Sequence, residues 1–174
     1  MNIIFEEGKI LKSYKTGMIT PIAKKGKDSS HTDSYRGITV TSIQGNIFEY
    51  ALLAKLNLIS DNQSEMQFGF TPDLSPNMAA LIVSEVCAET SPREPLFITT
   101  LDSQKAFDVV NRKILLDKLY NLGMDLEFWN LIYEMHDGLS ATVKWQGQKS
   151  GSFSVEQGVR QGGVLSTHLY KVYI

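Results

Sequence analysis

Leu96-Phe97-Ile98-Thr99-Thr100-Leu101-Asp102-Ser103-Gln104-Lys105-Ala106-Phe107-Asp108 is the stretch on which the fold turns. Behind Pro95, the run from Leu96 to Leu101 is apolar or β-branched throughout, the pattern of a strand buried on both faces. Asp102 closes it. A carboxylate placed where a buried strand ends stands on rigid backbone and still reaches water, which is how a hard cation is commonly held. The plainer reading makes Asp102 an ordinary acid at a strand end. Asp108 sits where a helix starting at Val109 needs its N-cap, so it reads as a structural residue.

Downstream, Val110, Ile114, Leu115, Leu119 and Leu122 keep helical spacing, with Arg112, Lys113 and Lys118 on the other face and Gly123 as the stop. Asp125 can cap a second helix carrying Leu126, Trp129, Ile132 and Tyr133. Two alternating runs, 141–145 and 152–156, form a hairpin through the turn 146–151. Gln157-Gly158-Val159-Arg160-Gln161-Gly162-Gly163 is a glycine-rich loop ahead of a helix from Val164, a place where phosphates or nucleotides can approach backbone.

Upstream, Met18–Ala23 reads as a strand that Pro21 confines to an edge or an end. Lys24-Lys25-Gly26-Lys27 is a basic, mobile turn, and Tyr35–Val40 is a second strand, so the two make a hairpin-like flap. Two readings of the lysines stand: a solvated loop, or a phosphate clamp with Arg36 as its planar fork. Ile43, Ile47, Phe48, Ala51, Leu52, Leu56 and Ile59 give a core-facing helix that ends at 61–64. Ser75-Pro76 starts another, with Met78, Leu81, Ile82 and Val86 as its buried stripe.

Composition narrows the class. The chain has 174 residues, 43% hydrophobic and 21% charged, values of an ordinary water-soluble protein. Its single cysteine, Cys87, rules out an internal disulfide and a cysteine-based zinc site. No run is long enough for a membrane span, and the N-terminus turns acidic before a signal-peptide core can form; an intracellular protein is expected, with no further address. The net charge of −2 hides a basic stretch, Lys9 to Arg36, and an acidic one, Asp61 to Asp108. That division suits a protein that grips polyanions with one part and metal ions with the other.

Five segments in order, Ile19–Lys27, Ser34–Thr39, Gln67–Phe70, Leu101–Asp108 and Gln157–Ser166, resemble the reverse transcriptase of non-LTR (LINE-type) retrotransposons. The resemblance implies an α+β chain with the fingers and palm of a right-hand polymerase. Residues 1–95 would be a fingers-like region and 96–174 the first half of the palm. It implies that Asp102 is a catalytic, metal-binding aspartate, one ligand of two Mg²⁺ ions. Lys24, Lys25 and Arg36 would hold the incoming triphosphate, Phe107 would pack against its sugar, and Gln161 and Gly162 would support nucleotide and template. Asp108 belongs to the motif without being a metal ligand. The implied partners are an RNA template, a DNA primer and a deoxynucleoside triphosphate.

The sequence also departs from the family. No Asp-Asp dipeptide occurs in it, and the chain stops at Ile174, before the hairpin that should carry one and before a thumb. Thr167 replaces the proline expected after Ser166, and Gly37 stands where Tyr-Arg-Pro is usual. One carboxylate in place of three cannot hold two divalent ions together. The expectation is a truncated domain, inactive alone, marginally stable and prone to aggregate through the uncovered strand 96–101. Three rivals remain: a module that binds RNA or an RNA–DNA hybrid without chemistry, a translated relic without activity, and a small metal-dependent phosphotransferase. The oligomeric state is not legible.

Overall fold

Strand propensity and alternation on either side of the basic turn produce the expected flap. In the computed structural model, which describes residues 2–56, 64–91, 93 and 95–174, β1 (Thr16–Ala23) pairs antiparallel with β2 (Tyr35–Val40). Pro21, which has no N–H to give, faces Gly37 of β2. On its other side β1 runs parallel to β3 (Ser140–Trp145), but only from Thr16 to Ile19, so the proline lies past the shared span. The short β4 (Gln148–Lys149) and β5 (Phe153–Ser154) both pair antiparallel with β3. The sheet order is β2-β1-β3-β4, with β5 also on β3. The β3–β4 turn is two residues, Gln146 and Gly147, both at positive φ (46° and 81°), the geometry a tight hairpin demands.

Among the described residues there are six α-helices: α1 (Asn2–Glu7), α2 (Ile43–Leu56), α3 (Pro76–Glu89), α4 (Arg112–Asn121), α5 (Leu126–His136) and α6 (Ser166–Tyr173). Residues divide into two compact units, one of 1–59 with 105–174, the other of 60–104. The core of the first unit lies among its helices, where Phe48, Leu52, Leu115, Leu119, Leu131, Ile132, Leu165 and Leu169 are almost wholly buried. Phe48 carries the rings of Phe5 and Tyr14 against it, at 5.4 and 5.9 Å between centroids.

Several expectations need correcting. The strand over 96–101 does not form: the segment has no regular structure, and Phe97 and Leu101 are 87% and 97% exposed. A strand apolar on both faces needs neighbours on both edges, and none of the strands among the described residues pairs with it. The stripe Met78, Leu81, Ile82 and Val86 on α3 is likewise exposed, although Ser75 caps that helix as expected by accepting from the Met78 N–H. Helix α4 begins at Arg112, not Val109, and its cap is Asn111, whose Oδ1 accepts from the Lys113 and Ile114 N–H groups at 3.0 and 3.2 Å. Asp108 is therefore not the cap. Its N–H instead closes a turn on the Lys105 carbonyl at 2.8 Å. Asp125 does cap α5, accepting from the Glu127 N–H. The expected end of α2 at Ile59 and 61–64 falls largely on residues outside those described.

Candidate functional site

The flap and the glycine loop meet within the first unit. Lys24 is pinned at both ends: its N–H donates to the Ser34 carbonyl, and its Nζ donates to the Asp33 carbonyl, each at 2.8 Å. Asp28 accepts from the Ser30 hydroxyl and N–H, which together hold its carboxyl below the usual range. The Tyr35 hydroxyl donates to the Ser29 carbonyl. The expected mobile turn thus carries a hydrogen-bond set of its own.

Opposite lies the loop 157–163, built against two other segments. The Gly158 N–H donates to the Val110 carbonyl and the Val159 N–H to the Phe107 carbonyl, at 2.9 and 2.8 Å. A Cβ on Gly158 would lie 2.7 Å from the Asp108 carbonyl oxygen, and φ there is +82°, so only glycine fits. At the loop's far end the Thr39 N–H of β2 donates to the Gln161 carbonyl at 2.7 Å, which satisfies part of the open edge of the sheet. Gly162, at φ +108°, brings its backbone so close that a Cβ would sit 3.1 Å from the Thr39 oxygen.

Replacing Gly158 by alanine is expected to destabilise the unit by at least about 2 kcal/mol, the left-handed penalty plus the displacement of backbone. Gly138 supplies the control. It has φ +64° but nothing within 4 Å of its Cβ position, so Gly138→Ala should cost only about 1 kcal/mol. Urea unfolding of the two variants checks the difference, and equal losses would contradict the close approach.

Sequence reading missed the side chains that hold this loop. Arg112, expected on a solvent face, donates to four carbonyls: Gly158, His136, Val155 and Gln157, at 2.8 to 3.0 Å. Burial, and then the charge of Arg160, keep its guanidinium below its ordinary range. Arg160 donates to the Tyr14 carbonyl at 2.6 Å and pairs with buried Glu49 of α2 at 3.6 Å. Glu49 in turn accepts from the Leu165 N–H just ahead of α6. One signal was available: Glu49 interrupts an otherwise apolar helix face between Phe48 and Leu52, and a buried acid needs a partner. For Arg112 no such signal exists.

Between flap and loop lies a cleft of about 400 Å³. Lys24, Arg36, Phe107 and Gln161 line it, so four of the six residues expected to contact a nucleotide share one concavity. Lys25 is exposed nearby in sequence, and Gly162 adjoins Gln161; neither lines the cleft. Lys105 and Asp33, not expected there, do, and they form an exposed ion pair at 3.2 Å. The Phe107 ring stacks on Tyr170 of α6 at 5.1 Å, which fixes its plane. Asp108 lines the cleft as well. Asp102 belongs to the unit 60–104 and is exposed.

A cationic cleft closed by a glycine loop, on a mixed sheet-and-helix scaffold, suits a protein that handles phosphorylated ligands. The chain belongs to the reverse transcriptase (RNA-dependent DNA polymerase) family, whose model matches residues 22–174. It is similar to the RNA-directed DNA polymerase from mobile element jockey of Drosophila funebris, 29% identical over 177 residues, covering 99% of this chain and 19% of that protein. It is also similar to the Pol polyprotein of the type-2 retrotransposable element R2DM of Drosophila melanogaster, 27% identical over 173 residues, with 99% and 16% covered. The chain thus spans about a fifth or less of the curated relatives it matches. It is a non-LTR retrotransposon reverse transcriptase sequence. Among the described residues no helix is long and apolar enough to cross a membrane.

Proposed function

We propose that this chain is the fingers (1–95) and first half of the palm (96–174) of a retrotransposon reverse transcriptase, and that its cleft receives the triphosphate of an incoming deoxynucleotide. The observation that carries the reading is the single cleft lined by Lys24, Arg36, Phe107 and Gln161. Lys24 acts as a point charge and Arg36 as a bidentate fork on phosphate oxygens, with Lys25 adding charge from the rim. Phe107, held flat by Tyr170, excludes a 2′-hydroxyl by volume. Gln161 and Gly162 hold the nucleotide and template from the loop side.

Asp102 is the proposed first carboxylate for divalent cations. Among the described residues no three His, Cys, Asp or Glu side chains form a group that could hold a metal ion. The residues in hand do not fit a two-ion site, because cations about 4 Å apart need several carboxylates to offset their repulsion. The 174 residues by themselves are therefore proposed to bind nucleotide without joining it.

Titration with a fluorescent N-methylanthraniloyl deoxynucleoside triphosphate tests the cleft. Lys24→Ala/Arg36→Ala should weaken binding by about tenfold for each charged hydrogen-bonding group removed. Equal binding by that variant, or none by the parent chain, refutes the reading. In a primer-extension assay with Mg²⁺ the chain alone should add no nucleotide; extension would overturn the proposed inactivity.

A further inference from the structure

Helices α4 and α5 of the first unit share a cavity of about 400 Å³, within the range of small-ligand sites. It has no residue in common with the cleft. One wall is aromatic: the rings of Trp129 and Tyr133 lie parallel, 4° apart in plane and 5.8 Å between centroids. The Trp129 indole N–H donates to the Leu116 carbonyl at 2.8 Å, which fixes that ring, while Tyr133 stays 42% exposed. Lys113 and Asp117, four residues apart on α4, line the cavity and offset each other in charge. Arg112 lines it too, but its N–H groups are committed to four carbonyls. That leaves two exposed carboxylates, Asp137 and Glu156, with no cation paired to either among the described residues. Asp137 follows the last turn of α5, where the helix end carries partial negative charge and the histidine is neutral.

His136, nine-tenths buried, gives an independent sign that the cavity takes a hydrogen-bond donor. Its Nδ1 holds the proton against the Ile132 carbonyl, so Nε2 presents a lone pair. Nε2 has no partner among the described residues, yet none of their fully enclosed side-chain nitrogens lacks one, so Nε2 opens into a cavity. The ring lines two. The other holds about 10 Å³, space for a single water at most, so only this one admits a ligand.

An acceptor, unpaired carboxylates and an aromatic wall complement a planar cation with several N–H donors. We infer that this cavity binds the guanidinium of an arginine carried by a basic polypeptide partner, stacked on the aromatic wall with its N–H groups on Asp137 and Glu156. A lysine brings the charge without the fork or the stacking plane.

Titration of the nitrogen-15-labelled chain with acetyl-Gly-Arg-Gly-amide, followed by NMR at the indole N–H groups of its two tryptophans, tests it. Trp145→Phe assigns the signals. That of Trp129 should move, while that of Trp145, whose ring packs on Tyr35, should not. Citrulline in place of the arginine, neutral and of the same shape, should abolish binding, and lysine should weaken it about threefold. Asp137→Asn/Glu156→Gln should weaken binding by about tenfold for each carboxylate lost. Its Trp145 signal, unmoved from the parent position, shows that this variant is folded. Tyr133→Leu should cost about threefold. Equal binding of the citrulline peptide or by the double variant overturns the inference, as does movement of both indole signals or of neither. Equal binding of the lysine peptide overturns the arginine assignment. A Trp129 signal that moves as the chain alone is concentrated would mean that a second copy fills the cavity, and overturns the separate partner.

Discussion

Glu49→Leu is expected to destabilise the first unit by about 3–5 kcal/mol, the cost of leaving a buried guanidinium without its carboxylate. Glu49 is 3% exposed and holds both Arg160 and the Leu165 N–H, so its loss frees the glycine loop and the start of α6 together. The pair itself need not be strongly favourable, since burying two charges costs about as much as their attraction returns. That asymmetry provides the check. Glu49→Leu/Arg160→Met removes the orphaned charge and should be no less stable than Glu49→Leu, despite leaving the Tyr14 carbonyl without its donor. Denaturant unfolding of the single and double variants decides it. A single variant within about 1 kcal/mol of the parent would mean that the guanidinium reaches water.

The same network explains which parts of this protein were legible in its sequence. The flap could be read because alternation over Met18–Ala23 and Tyr35–Val40 is local, and local pattern is what sequence reports best. The loop could be read because its glycines are demanded by backbone, at φ +82° and +108°. Lys24, Arg36, Phe107 and Gln161, which stand in separate sequence motifs, line one cleft. What failed depended on distant partners. Leu96–Leu101 has the residues of a central strand, but pairing is a property of two segments, and here the second is missing among the described residues. The α3 stripe failed the same way: amphipathic spacing says which face is apolar, not that something covers it. Helical phase alone puts Arg112 towards solvent, whereas its long side chain reaches carbonyls from residues 136 to 158. Asp108 and Asn111 both suit an N-cap, and only the true start of α4 separates them.

Between pH 6.5 and pH 4 the protein is expected to lose about 3 kcal/mol of stability through one side chain, His136. Burial is the main reason its pKa falls from 6.5 to about 4; the hydrogen bond to the Ile132 carbonyl works the other way, and the charges of Arg112 and Arg160 add to the fall. A carbonyl can only accept, so Nδ1 carries the proton of the neutral ring, at 2.8 Å from the Ile132 oxygen. The folded state thus prefers the neutral form. Above pH 6.5 both states hold it neutral and the full stability is present. As pH falls below 6.5 the unfolded chain takes up a proton that the folded chain refuses until about pH 4, and stability declines by about 1.4 kcal/mol per pH unit across that window. His136→Gln should lack this decline, so the parent-minus-variant difference isolates it from carboxylates that titrate at the acid end. Parallel stability curves for the two proteins would show that the ring is already solvated. The consequence reaches the loop, because the carbonyl of His136 is one of the four that Arg112 holds. The folded chain gains a third cation beside Arg112 and Arg160 only as pH reaches about 4, so the clasp on the loop of Gln161 should weaken, and deoxynucleotide affinity fall, there and not across the window above it; His136→Gln should remove that fall as well.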